Sequence, residues 1–172
     1  IFSRIWIQYI FDYQAIHADD PIQPFLMAET GMSKIIRGDL AIELTTGERY
    51  DLENNDAIET SVNGRAIITW PDHSVTRLSE NTRIVIHHMY ANTHYDKIEI
   101  SMSLKKGKIW TRVVRTMIGD SYFETKLPKN DIVAAVRGTT FEINLEKNYI
   151  HAVRHNINLS DGLFHRVSLF PG

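Results

Sequence analysis

The histidines are the residues of this sequence best suited to metal binding or proton transfer. The chain has eight of them, with His87 beside His88, and His151 four residues before His155. In a strand, His87 and His88 point to opposite faces, whereas His151 and His155 lie about 13 Å apart along one face. Neither pair can then share a metal ion, so the sequence predicts surface histidines and no metal site.

Other residue types give no catalytic pattern. Glu142 and Glu146 share one strand face, which is more typical of a solvated surface than of an acid–base pair. No serine stands in a Gly-x-Ser-x-Gly context, and Gly138-Thr139-Thr140 is not followed by the lysine of a phosphate-binding loop. The absence of cysteine excludes thiolate zinc sites, iron–sulfur clusters and cysteine nucleophiles. We therefore expect that the protein is not an enzyme and that it has no catalytic residues, no bound metal and no cofactor.

Aromatic and arginine side chains leave two interpretations open. They could form a face that binds sugar or peptide through stacking and arginine contacts. Alternatively, the tryptophans are core residues at sheet ends with arginines at the rim, which is the favoured interpretation. The residues concerned are Trp70, Trp110, Arg112, Arg115 and Arg137.

Two glycines, Gly38 and Gly107, each end one run of residues and precede an alternating strand. Both predict hairpin turns in which the glycine has a positive φ, and together they suggest hairpins stacked along an axis. The tripeptide Arg37-Gly38-Asp39 also matches an adhesion motif, but the hairpin turn is the favoured interpretation.

The composition indicates one soluble globular domain, with or without a short extension. The chain has 172 residues, of which 43% are hydrophobic and 23% charged, and its formal net charge is -2. This balance gives no overall attraction for nucleic acid or anionic lipid, so we expect no nucleic-acid partner. No apolar run approaches the ~20 residues of a membrane-spanning helix.

From about residue 25 onward, polar and apolar residues alternate as in strands with one buried face. The alternation is strictest over residues 97–104 and recurs over residues 39–44, 141–146 and 156–159. Continuous apolar runs at 66–70 and 132–136 predict interior strands. The fold class is therefore all-β, with roughly a dozen short strands in an elongated twisted sandwich or a stacked-hairpin, solenoid-like domain.

The first 24 residues stand apart from this β domain, which we expect over residues 25–172. Apolar residues recur at helical spacing at the start of the chain and predict a short N-terminal helical segment, with residues 19–24 as the linker. The segment is either an amphipathic helix packed on the domain or the stub of a membrane anchor that begins upstream of residue 1. A signal-peptide remnant is disfavoured because no small-residue cleavage pattern follows.

The segment Val136-Arg137-Gly138-Thr139-Thr140-Phe141-Glu142-Ile143 resembles the signature of the FecR domain family: an apolar run, Gly-Thr, one variable residue, Phe and an alternating strand. Further pieces follow the order of the family between about residues 33 and 172, namely residues 52–60, 64–78, 81–86, 104–110, 123–128 and 169–172.

Three places depart from the pattern of the family, and at one of them residues 154–156 stand where it usually has the glycine that opens the last hairpin. Asn55 and His73 stand where it commonly has glycine. Both residue types tolerate the left-handed conformation better than most, so we expect the two turns to be retained.

The resemblance implies a bacterial, extracytoplasmic location, in the periplasm or on the cell surface. The best-known members follow a membrane anchor and relay a signal from an outer-membrane receptor to an extracytoplasmic-function sigma factor. We therefore expect a non-enzymatic protein-interaction module in envelope signalling, with a protein partner in the cell envelope. The alternative is an envelope-structural module or one that binds glycan or cell wall. The sequence identifies neither the ligand, the binding residues nor the oligomeric state.

Two local expectations complete the prediction. Gly138 should form a bend or bulge, and Phe141 should anchor the core. Charged side chains should protect most edges and faces of the sheets from strand addition. These side chains are Glu43, Lys97, Glu99, Glu142 and Glu146. The last hairpin, residues 149–169, should be the docking site and should give weak self-association, because members of the family continue beyond it into receptor-contacting sequence.

Overall fold

The structure, a computed structural model, describes residues 21–92, 94, 97–114, 119–128, 133–136, 139–154, 157–160 and 166–170. These residues form sixteen strands and no helix: β1 (Phe25–Thr30), β2 (Met32–Arg37), β3 (Leu40–Thr45), β4 (Arg49–Asp51), β5 (Ala57–Thr60), β6 (Arg65–Thr69), β7 (Val75–Leu78), β8 (Arg83–Ala91), β9 (Ile98–Lys106), β10 (Lys108–Arg112), β11 (Tyr122–Lys126), β12 (Val133–Val136), β13 (Thr140–Asn144), β14 (Tyr149–Arg154), β15 (Ile157–Ser160) and β16 (Arg166–Leu169).

The strands form two sheets, as the all-β prediction required. Sheet 1 has the order β14-β13-β10-β7-β6-β1-β4, and sheet 2 has the order β16-β15-β12-β11-β9-β8-β5-β2-β3. All neighbouring strands are antiparallel except β9 and β11, which are parallel. The predicted interior strands, β6 and β12, do lie inside their sheets.

The core lies between the two sheets because alternate residues of each strand point inward. On β9, the four inward residues are buried, from Ile98 to Leu104, whereas Glu99 remains partly exposed on the outer face. Trp70 and Phe123 are fully buried and meet edge to face with their ring centroids 5.7 Å apart. The strict alternation of polar and apolar residues in β9 therefore corresponds to one face of the strand that packs on the core.

The turn predicted at Gly107 is not a hairpin. β9 belongs to sheet 2 and β10 to sheet 1, so Gly107 is a corner at which the chain changes sheet. Gly107 has a φ of 88°, and a Cβ built on it would lie 2.6 Å from the Thr82 Cα. Only glycine fits such a close approach without a shift of the backbone.

The last predicted hairpin is also divided between the sheets. β14 is the outermost strand of sheet 1, whereas β15 and β16 pair with each other at the edge of sheet 2. Residues 149–169 therefore contribute the last strand of each sheet at the same end of the sandwich.

The predicted helical segment lies in residues 1–20, outside the described residues. Residues 21–24 contact the β domain: the Ile22 N–H donates to the Pro71 carbonyl at 3.1 Å, and the Leu52 N–H donates to the Pro24 carbonyl at 2.8 Å. No helix in the described part of the chain is long and apolar enough to cross a membrane.

Candidate protein-interaction site

Arg37 forms an ion pair with the buried carboxylate of Asp56, which connects β2 to the turn before β5. The guanidinium donates from Nε and Nη2 to the two Asp56 carboxylate oxygens, each at 2.8 Å, and from Nη1 to Glu53 at 2.6 Å. Asp56 has no exposed surface, and its hydrogen bond raises the pKa of Arg37 above the ordinary value. Arg37 therefore has a structural role.

The hairpin turn predicted at Arg37-Gly38-Asp39 is confirmed. β2 and β3 pair directly, and the turn residue Gly38 has a φ of 57°. Because the Arg37 guanidinium is held by Asp56 and Glu53, this tripeptide does not present a free arginine to an adhesion receptor.

The turn between β6 and β7 is built on Asp72 and Ser74, both fully buried. The Ser74 N–H and Oγ donate to the Asp72 carboxylate at 3.1 and 2.6 Å, and the Val114 N–H donates to the Ser74 Oγ at 3.1 Å. Between them, His73 has a φ of 65°, and Asn55 in the earlier turn has a φ of 72°. The prediction that Asn55 and His73 adopt the left-handed conformation in these turns is confirmed.

Other residues of the family signature stabilise the turns and the core between the two sheets. The Thr60 hydroxyl donates to the Ser79 carbonyl at 2.6 Å and accepts from the Thr82 N–H at 2.9 Å. Phe141 is fully buried, which confirms it as a core anchor, whereas Gly138 lies outside the described residues. The signature residues therefore build the scaffold, and a functional site has to be sought on the surface.

His87 and His88 do not point to opposite faces, which corrects the sequence prediction. The pairing of β8 with β9 shifts between Ile86 and His88, so His87 is an extra residue in a β-bulge. Both rings then contact outer-face residues: His87 Nε2 lies 2.6 Å from Ser103 Oγ, and His88 Nε2 lies 3.1 Å from Glu99. A bulge breaks the two-residue alternation on which the prediction depended.

The histidines that the structure describes show no metal site. Partial burial, followed by the charges of Lys126 and Lys105, lowers the pKa of His87. Within the described ranges, no three His, Asp or Glu side chains are placed to hold a metal ion. His155 lies outside these ranges, and His151 is exposed.

The aromatic and arginine residues do not form one face. Trp70 is a core residue whose Nε1 donates to Thr76 Oγ1 at 2.8 Å, as the favoured interpretation required. Trp110 and Arg112 lie on the outer face of sheet 1, where they border an open cavity of about 410 Å³ together with Thr140 and Val153. Arg115 and Arg137 lie outside the described residues.

An apolar cleft lies at the end of the sandwich where β14 and β16 are the outermost strands. It has a volume of about 330 Å³ and extends between Ile143 and Ile150 of sheet 1 and Leu159 and Leu169 of sheet 2. Leu127 completes its aliphatic lining. Sequence reasoning missed this cleft because its walls come from segments that only the strand order brings together.

The edge strands at the two ends of the sandwich differ in their acidic residues. Glu43 lies on the edge strand β3, and Arg49 and Asp51 form an ion pair at 3.8 Å on the edge strand β4. β14 and β16 contain no Asp, Glu or Lys, and the one arginine of each strand is Arg154 and Arg166 respectively. The other charged residues that were predicted to protect strand edges lie elsewhere. Glu99 and Glu142 lie on sheet faces, Glu146 lies in the turn before β14, and Lys97 directly precedes β9.

Comparison with known proteins gives two similar solved structures and a family. Two crystal structures of a "putative anti-sigma factor" from Parabacteroides distasonis match at 16% identity, with TM-scores of 0.48 and 0.50. Each match covers 67% of this chain and 51% of the other, so this chain spans about half the length of those proteins. No curated protein matches the chain. The model of the FecR family, described as FecR protein, matches residues 56–162, more than half of the sequence. The chain belongs to the FecR family.

Proposed function

We propose that this chain is a non-enzymatic, extracytoplasmic protein-interaction module that takes part in regulating a sigma factor through envelope signalling. Family membership and the resemblance to anti-sigma factors support the pathway. The observation that carries the mechanism is the pair of edge strands without acidic residues or lysine, β14 and β16, on either side of an apolar cleft.

A strand at the edge of a sheet can bind an extended segment of another chain. The outer side of an edge strand has backbone N–H and C=O groups without ladder partners, which another strand can pair with. Such a segment beside β14 would direct alternate side chains into the cleft between Ile150 and Leu159. The β14 ladder shifts near Thr140 and leaves Val153 as an extra residue, which limits regular pairing to Tyr149–Ala152. The proposed contact is therefore short and reversible.

The signalling role is tested by deleting the gene and measuring all transcripts. We expect a small group of genes, read by one alternative sigma factor, to change and to return to normal when the wild-type chain is restored. An unchanged transcript profile would contradict a regulatory role. A fusion to a reporter enzyme that works only outside the cytoplasm tests the location.

The absence of catalysis is tested separately. We expect no turnover on panels of hydrolase substrates and no stoichiometric metal by elemental analysis of the purified protein. Hydrolysis abolished by replacing one histidine, or a bound metal ion, would overturn the interaction module in favour of an enzyme.

The alternative function is an envelope-structural or glycan-binding module. The observation that favours it is the open cavity at Trp110 and Arg112, because an aromatic ring beside an arginine can stack on and hydrogen-bond a sugar. Sedimentation with purified cell-wall sacculi tests this alternative. If the wild-type chain binds sacculi and Trp110→Ala does not, the result would support this alternative. If the wild-type chain does not bind, the result would favour the signalling module.

A further inference from the structure

The outer face of sheet 1 has an unusual composition for an exposed sheet surface. The cross-strand register places Met27, Ile67, Arg77 and Trp110 side by side in one row, which Arg49 continues at one end and Glu142 at the other. A second row contains Phe25, Thr69, Val75, Arg112 and Thr140. All of these side chains lie on the face opposite the core, where an antiparallel sheet in contact with water is normally polar.

The ion pairs of sheet 1, Arg49–Asp51, Arg65–Glu80 and Lys108–Glu142, border these two rows, as in the polar rim of an interface. The outer face of sheet 2 has ion pairs across its middle instead. Three ion pairs lie on it: Arg83 with Glu59 at 2.6 Å, Lys97 with Glu99 at 3.2 Å, and Lys126 with Glu124 at 3.5 Å. Ser101 donates to Glu124 at 2.6 Å. This surface is balanced and polar, as expected of a face that remains in water.

The difference corresponds to the composition of protein interfaces. Their centres are enriched in aromatic residues, methionine and arginine and depleted in lysine, glutamate and serine. Phe25, Met27, Trp110 and the arginines match the enriched group. The residues of the sheet 2 face match the depleted group. The composition thus favours a protein partner over a glycan, which would occupy only the vicinity of Trp110.

The arginines of the sheet 1 face indicate the charge of the partner. Arg77 lies over the Trp110 ring at 5.7 Å, and Arg49 lies over the Phe25 ring at 3.7 Å. Within the described residues, neither Arg77 nor Arg112 forms an ion pair with a carboxylate. A partner with complementary charge therefore presents carboxylates to this face.

We propose that the outer face of sheet 1 docks an acidic protein surface whose apolar centre covers Ile67 and Val75 and whose carboxylates pair with Arg77 and Arg112. This inference rests on the proposed function as a protein-binding module, but it concerns a surface distinct from the β14–β16 cleft. The module then has two contacts: a short strand-pairing edge and a broad face that selects the partner by charge.

The test uses the full-length protein in its own cells, with a photo-activatable benzophenone amino acid at position 75. The matched control carries the same amino acid in place of Val85, an outer-face residue of sheet 2. We expect position 75 to cross-link to a protein through a segment rich in Asp and Glu, and position 85 not to do so.

Charge-reversal variants test whether the cross-link at position 75 depends on the two arginines. The double variant Arg77→Glu/Arg112→Glu should lower the cross-linking yield at position 75 at least about tenfold, because like charges then face each other. Lys34→Glu/Lys126→Glu on sheet 2 is the control and should leave the yield unchanged. Replacing the facing carboxylates of the partner by arginine should restore cross-linking to the reversed variant. Thermal unfolding checks that each variant folds, and Arg77→Gln/Arg112→Gln replaces the double reversal if that variant does not fold.

Several outcomes would overturn the inference. They are no cross-link at position 75, a cross-link to a second copy of the chain or to glycan, and a yield that neither arginine variant lowers. If the transcript response to gene deletion remains intact in any of these cases, the proposed function stands and only this docking face is wrong. If that response is also absent, the proposed function fails as well.

Discussion

Asp56 illustrates how a family signature can be structural at the level of single residues. The carboxylate is fully buried, and it accepts two hydrogen bonds from Arg37 and one from the Glu53 N–H. A buried charge is tolerated only when it is paired in this way. Replacing Asp56 therefore removes support from two strands and a turn at once.

We expect Asp56→Ala to lower the free energy of unfolding by about 3 kcal/mol, because Arg37 loses its buried partner. Asp51→Ala is the control, since that carboxylate is 61% exposed and its ion pair is long. Its effect should stay within about 0.5 kcal/mol. Equal losses in urea titrations of the two variants would contradict a structural role specific to Asp56.

Phe141 gives a second test at this scale. The ring is fully buried between the sheets, so Phe141→Ala should cost roughly 3–5 kcal/mol through lost burial and a residual cavity. Val153→Ala, at a side chain that is 41% exposed, should have little effect. A loss near zero for Phe141→Ala in a denaturant titration would place the ring on the surface.

Glu142 adds a pH dependence. Burial raises the pKa of this carboxyl, but the Tyr149 hydroxyl and the Lys108 ammonium, 2.9 Å away, lower it more, so its pKa lies below the ordinary 4.5. The charged form then stabilises the fold fully above about pH 4.5, and this contribution is lost as the pH falls through the lower, folded-state pKa.

Glu142→Gln should therefore be less stable than the wild type by roughly 1 kcal/mol at pH 7. The difference should shrink towards pH 3, where the wild-type carboxyl is protonated. Urea titrations at several pH values measure it. A difference that stays constant with pH would show that the Glu142 charge does not stabilise the fold.

At the scale of strands and turns, alternation predicted the strands well, and local breaks in it caused the errors. β9 and β13 follow the period of two and were located from the sequence alone. His87 was assigned to the wrong face because a bulge adds one residue to β8. Gly107 was taken for a hairpin because a sheet-changing corner and a hairpin need the same positive φ. Strands of three or four residues, such as β4 and β5, are too short to show a period, so the predicted dozen became sixteen in the described part.

The two glycines therefore differ in a measurable way. Gly38→Ala adds a Cβ with no atom within 4 Å, so only the positive φ is penalised, at about 1–2 kcal/mol. Gly107→Ala has the same conformational cost of a positive φ and also forces the Cβ against the Thr82 backbone. We expect Gly107→Ala to be the less stable variant in thermal unfolding. Equal stabilities would mean that the corner opens without cost.

At the scale of the whole molecule, strand order decides which residues become neighbours. The pairing of β7 with β10 brings Arg77 to Trp110, and the ends of two different sheets bring Ile150 to Leu159. Sequence spacing carries no information on either contact. The sequence therefore predicted the family and the β class, but neither the cleft nor the composition of the sheet 1 face. The docking region at residues 149–169 stays a prediction.

The central claim is that the module signals by binding a partner at the β14–β16 end. Its most direct test restores the deletion strain with Val153→Lys/Ser168→Lys, which adds one lysine to the edge strand of each sheet at that end. Leu40→Lys/Tyr50→Lys adds the same charges to β3 and β4 at the opposite end and is the matched control. Lysine on an edge strand hinders strand addition.

The measurement is the level of the sigma-dependent transcripts in each strain, with thermal unfolding of the purified variants to verify that both are folded. The account predicts that Leu40→Lys/Tyr50→Lys restores wild-type transcript levels and that Val153→Lys/Ser168→Lys leaves them as in the deletion strain. Full restoration by Val153→Lys/Ser168→Lys would contradict the claim that this end of the sandwich binds the partner.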